Sequence, residues 1–205
     1  MKRQSLIAVF LFLLSITTGD LMAIEFSDPK VQKFMEQNLG SPMDKVFHAL
    51  VPFQFGYENG GAADVYLFKR RDGYISYVTG DLIGESQPPS DAGNYELLAV
   101  MRDGEVWGAK LISKLAFSTL EESFNSGETM DIGDFGKEVG FDAIIFDKYS
   151  ETLINGSKIG IMLIIGITKK ELDWKMKNGG EALLKKLKEE NIYPYTIPKR
   201  KSVIK

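Results

Sequence analysis

The stretch LIIGITKKELDW, residues 163–174, decides the fold. It closes the apolar run IGIMLIIG (159–166), which has too few polar positions for a half-exposed strand. Such a run predicts a central strand covered on both faces. The run halts at Gly166, and Thr168 followed by Glu171 then forms a capping box. In that motif the hydroxyl and the carboxylate each satisfy an exposed amide of the first helical turn. The chain therefore passes from buried strand to capped helix within a few residues. The junction carries no nucleophile, metal-ligand cluster or phosphate loop, and it reads as structural.

Downstream, Leu172 and Met176 predict a narrow apolar seam on that helix, ended by Gly179-Gly180. EALLKKLKEEN (181–191) predicts a second helix with Leu183, Leu184 and Leu187 inward, and PKRKSVIK (198–205) a loose basic tail beyond the domain, its cations concentrated in 199–205. Upstream, INGSK (154–158) carries the Asn-Gly pair of tight hairpin turns, and FDAIIFD (141–147) reads as a strand. EVWGAKLISKLAFSTLEESF (105–124) is the clearest helix, with Trp107, Leu111, Ile112, Leu115 and Ala116 in one stripe. YELLAVM (95–101) reads as a strand, and ESQPPSDAGN (85–94) as a loop because two prolines cannot sit in a strand ladder. DVYLFK (64–69) and GYISYVTG (73–80) predict a hairpin joined by RRDG. GYENGGAA (56–63) is a loop. Residues 27–40 predict a helix capped by Asp28, with Pro29 in its first turn and Val31, Phe34, Met35 and Leu39 on one face. MDKVFHALV (43–51) continues that helical spacing through Met43, Val46, Phe47, Leu50 and Val51. The element order predicts an α/β (α+β) sandwich, a mixed and mainly antiparallel sheet packed by helices.

The N-terminus carries a different signal. Lys2 and Arg3 precede the apolar run Leu6–Ile16, and TTGDLMA follows. A charged start, a short apolar core and a small residue make a secretory signal layout. At ~1.5 Å per residue the run covers about 16 Å, short of the ~30 Å of a hydrocarbon core. Residues 1–23 are therefore expected to be a signal peptide cut between Ala23 and Ile24, leaving a single globular domain over 24–198 with no membrane span. Removing Lys2, Arg3 and Asp20 takes the net charge from −3 to −4, which argues against a nucleic-acid binder. With no cysteine, the chain has no disulfide, thiol nucleophile or thiolate metal site. Its 44% apolar content must hold the fold alone.

Catalytic signatures are sparse. His48 is the one histidine, which excludes multi-His zinc sites, and no G-x-S-x-G elbow accompanies it. DFG at 134–136 lacks the other kinase motifs, and no glycine loop of phosphate-binding spacing is present. Paired acids at Glu121-Glu122, Asp131 with Asp134, and Glu189-Glu190 leave an exported carboxylate hydrolase open as an alternative. A cell-envelope structural protein using Lys199-Arg200-Lys201 on anionic lipid is another. The aromatics Phe53, Phe55, Tyr57, Tyr66, Tyr74 and Tyr77 either alternate into the core or expose a partner-binding surface.

Four features in order carry a family resemblance. They are the DVY strand answered by YVTGDL, the strand holding Glu96, the Trp-led helix running into NSGETM, and the ending IIGITKKEL. Over residues 45–196 the chain resembles the suppressor-of-fused domain family. The Ser-Asp and His common in that family before its first strand are not visible in GYENGGAADVY, and loop 84–94 and the secretory start also depart from it. The resemblance implies an α/β sandwich without enzymatic activity, cofactor or metal, working by binding another protein. Animal members restrain transcription factors of the Hedgehog pathway, and bacterial members look like toxin-neutralising immunity proteins. The expectation is an exported, periplasmic or secreted, binding module. Its partner would be a basic toxin, opposite in charge to the mature chain.

Overall fold

Along the central strands apolar side chains alternate, and the alternation sorts them into two cores. The computed structural model describes residues 14–16, 26, 28–102 and 106–205. Strand β5 (Asn94–Met101) sends Leu97, Ala99 and Met101 to one face and Leu98 and Val100 to the other. Strand β8 (Ser157–Ile167) does the same with Met162 and Ile164 against Ile161, Leu163 and Ile165. These two strands pair in parallel, and β8 pairs antiparallel with β7 (Ala143–Ile154) on its other side. The run 159–166 is thus central with both faces covered, as its composition predicts.

The mixed sheet has the order β1 (Leu14–Ile16), β2 (Ser41–Ala49), β3 (Val65–Lys69), β4 (Ile75–Thr79), β5, β8, β7, β6 (Thr129–Asp131). β3 and β4 form the expected hairpin, and β6 borders β7. Asn155 (φ 52°) and Gly156 (φ 84°) turn β7 into β8, so the N-G-S triplet is accounted for as a tight turn. Helix α2 (Val106–Glu121) covers one face of the sheet together with α3 (Gly133–Val139). Helices α1 (Pro29–Leu39) and α5 (Gly180–Glu189) cover the other. Asp28 caps α1 through the Lys30 amide at 2.8 Å, and Val31, Phe34, Met35 and Leu39 are its buried face.

Three expectations are corrected. Residues Ser41–Ala49 form strand β2, not a helix continuing through 43–51. β2 pairs with β3, and its register shifts between Pro42 and Val46. Beyond that irregularity Val46 and Phe47 pair regularly with Tyr66 and Val65 and point to opposite faces of the sheet, both covered, so two neighbouring apolar residues are buried and imitate helical spacing. The seam on α4 (Lys169–Asn178) does not form, because Met176 is 72% exposed. The capping box is present, and the buried residue of α4 is Glu171. Finally, the basic tail is not loose. Arg200 lies against Glu171, Val203 donates its amide to Glu171 Oε1 at 2.8 Å, and Val203 and Ile204 pack on the second core.

The expected export signal and its cut between Ala23 and Ile24 fall outside the described residues except for Leu14–Ile16. Those three residues form β1, at the sheet edge against Phe47–Ala49 of β2. Among the described residues, seven strands and five helices lie beyond residue 23.

Candidate functional site

One end of the sheet gathers the loops that follow β2 and β4. Loop 50–63 leaves β2 through two short 3-10 turns, Phe53–Phe55 and Tyr57–Asn59. Phe53 is buried and stacks on Phe117 of α2 at 4.2 Å, and Tyr57 meets the same ring edge-on at 5.7 Å. Ser113 of α2 donates to the Ala63 carbonyl at 2.7 Å, and the Ala62 amide donates to the Val51 carbonyl at 3.2 Å. The loop is therefore anchored at its base and its ends.

On this anchored loop Leu50, Phe55 and Tyr57 stand 59%, 63% and 61% exposed. Among the described residues five large apolar side chains are exposed to this degree, and three of them share this loop. Single exposed apolar residues need no explanation, but several on one fixed loop make it a candidate interaction surface.

Beside the loop lies a cluster of acids. Asp64 Oδ2 is 2.7 Å from His48 Nδ1, and its other oxygen accepts the Ala49 amide at 2.8 Å. The Asp64 amide donates to Asp81 at 2.7 Å. Burial, with the charges of Asp64 and Glu85 nearby, holds the Asp81 carboxyl above its ordinary value despite that hydrogen bond. Behind Asp81 sits Glu96, fully buried in β5. Its Oε1 accepts the Leu82 and Ile83 amides at 3.0 and 2.8 Å, and Oε2 lies 2.6 Å from the Thr79 hydroxyl. Burial pushes its carboxyl up to about 8. Glu96 thus fixes the 80–83 turn, and that turn presents Asp81.

The dyad of His48 and Asp64 orients an imidazole. Among the described residues no hydroxyl is hydrogen-bonded to its other ring nitrogen, and no three acids or histidines converge as a metal cluster. The arrangement can hold a fixed polar and acidic rim beside an apolar loop, which is the anatomy of a protein-binding surface.

Sequence reasoning names Phe55 and Tyr57 within a wider aromatic set, and the structure divides that set. Tyr77 and Phe53 are buried, Tyr66 lies on Phe26 at 5.2 Å, and Tyr74 lies on Tyr195 at 4.1 Å. The carboxylate pairs do not come together. Glu121-Glu122 end α2, Asp131 and Asp134 flank the start of α3, and Glu189-Glu190 end α5, with all six exposed. The His48–Asp64 pair escapes the sequence because the two residues are 16 apart and meet only through β2–β3 pairing. The helical spacing of 43–51 hides that pairing; Pro42 argues against a helix running on from α1, and the β-branched and aromatic neighbours Val46 and Phe47 are the available strand signal.

The comparisons agree with this architecture. Residues 62–201 match the family described as suppressor of fused protein (SUFU). No curated protein sequence matches the chain significantly. Among solved structures, the Sufu–Fu complex aligns at TM-score 0.60 and 13% identity, over 85% of this chain and 89% of that one. A SUFU homologue from Neisseria gonorrhoeae FA 1090 aligns at 0.50 and 20%, over 69% and 78%. Drosophila Suppressor of Fused aligns at 0.59 and 12%, over 85% of this chain and 50% of that protein. These identities speak for the fold, and the sequence match over 62–201 for the family: the chain belongs to the suppressor of fused protein family.

Proposed function

We propose that this chain is an exported, non-catalytic module that binds and neutralises a basic protein toxin through loop 50–63 and its acidic rim. The observation carrying the reading is the trio Leu50, Phe55 and Tyr57, held out from an anchored loop beside Asp64, Asp81 and Glu85. A pre-ordered loop loses little entropy on binding, and the acids steer a cationic partner toward it. The Sufu–Fu complex shows another protein of this fold bound to a partner protein, which supports binding as the mode of action. Export rests on the signal layout of residues 1–23.

Co-expression with the toxic product of an adjacent reading frame tests neutralisation. Wild type should restore growth, and the Leu50→Ser/Phe55→Ser/Tyr57→Ser variant should not. Rescue by both removes the loop from the reading, and rescue by neither removes neutralisation. Export is checked separately by N-terminal sequencing of the extracytoplasmic protein, expected to begin at Ile24; full-length chain confined to the cytosol contradicts it.

A further inference from the structure

The opposite end of the molecule has the opposite character. A cleft of about 800 Å³ opens between the last turns of α1, the start of β2 and the β3–β4 turn. Lys33, Lys69, Arg70 and Arg71 line it, against the acids Glu36 and Asp72, a balance of 4 − 2 = +2 in a chain whose net charge is −3.

Two of these charges are already committed. Asp72 accepts from Arg70 Nε at 3.0 Å, from the Tyr74 amide at 3.1 Å and from the Tyr195 hydroxyl at 3.1 Å. Partial burial would raise its carboxyl, but these donors outweigh that and hold it below its ordinary value. Arg70 is fixed in turn, since its Nη1 donates to the Tyr149 hydroxyl at 3.2 Å. By contrast, Lys33, Lys69 and Arg71 are exposed and make no ion pair among the described residues.

A helix C-terminus ordinarily repels anions through its free carbonyls. Here two of those carbonyls have donors. Gly40 N reaches the Glu36 carbonyl at 3.4 Å and Ser76 Oγ the Leu39 carbonyl at 3.1 Å. The negative end of α1 is thus partly satisfied, at Glu36 and Leu39, before any ligand arrives.

We infer that this cleft binds a multivalent phosphate group. Three unpaired cations surround a guanidinium already locked in place, and that set suits a polyanion approached from several sides better than a single carboxylate. The volume lies within the range of small-molecule sites and exceeds what one phosphate fills, so the group is a polyphosphate or the head of a larger molecule. The assignment is independent of the acidic face and of export.

The test titrates the full-length chain with pyrophosphate at low salt and, in parallel, measures flotation with cardiolipin vesicles, whose headgroup carries two phosphates, against phosphatidylcholine vesicles. The comparison is with Lys69→Ala/Arg71→Ala, whose removed side chains are exposed and hold no part of the fold. Wild type should bind at least one probe, and the double variant should bind it about tenfold or more weakly. Glu36→Gln should tighten it. Pyrophosphate binding assigns a free phosphate ligand; binding of anionic vesicles alone, lost in the double variant, assigns a lipid headgroup. No binding to either probe, or equal binding by wild type and the double variant, overturns the inference.

Discussion

Two buried carboxylates show how the same residue type takes opposite roles. Glu171 is paired, with Arg200 Nη2 at 2.7 Å and the Thr168 and Val203 amides at 2.9 and 2.8 Å. Burial alone would raise its carboxyl, yet Arg200 and the amides hold it below the ordinary value. Its stabilisation is therefore present above pH ~4.5 and lost as pH falls through the lowered value. Arg200→Ala leaves that charge buried without its partner, and urea melts should show a loss of roughly 3–5 kcal/mol at neutral pH. Glu96 has no cation and is raised to about 8 by burial. The folded chain then holds a proton that the unfolded chain releases. Its contribution is complete below the ordinary value of 4.5 and falls as pH rises to about 8. Thermal melts across that window should show the wild type losing stability with rising pH, and Glu96→Gln should flatten the dependence.

At the scale of elements, the Gly179-Gly180 pair does more than end α4. Gly180 opens α5 against Gly127 of the turn before β6, and a Cβ on Gly180 would lie 2.0 Å from the Gly127 carbonyl oxygen. Gly180→Ala should cost about 1–3 kcal/mol, read as a lowered melting temperature, because backbone there cannot give way like a side chain. The same scale shows what the sequence made legible. Strand β8, the β3–β4 hairpin, α2, the Thr168 box and the leucines of α5 follow local rules of period and capping, and the structure has them all. Strand β2 does not follow such rules, because both of its faces are covered at Val46 and Phe47 and a polar/apolar alternation is missing there. The tail failed for a related reason: Lys199-Arg200-Lys201 reads as solvated charge until Glu171, 29 residues earlier, is placed beside Arg200. The proposed face was legible in its aromatics Phe55 and Tyr57, but its polar rim is assembled from His48 of β2, Asp64 before β3 and Asp81 after β4, a grouping set by topology.

Taken whole, the molecule is polarised along its strands. The acidic, apolar loops lie at one end and the cationic cleft at the other. Partner binding at the acidic end should weaken as salt rises and screens the rim, a dependence that Asp81→Asn should reduce without lowering the melting temperature by more than about 1 kcal/mol equivalent. The most direct measurement of the proposed binding face is site-specific photo-crosslinking in cells. A photoreactive residue replaces Tyr57 in one strain and Met176, similarly exposed but on α4, in another. The account predicts a discrete adduct with a basic protein at position 57 and none at 176. Adducts of equal yield at both positions, or at 176 alone, would contradict it.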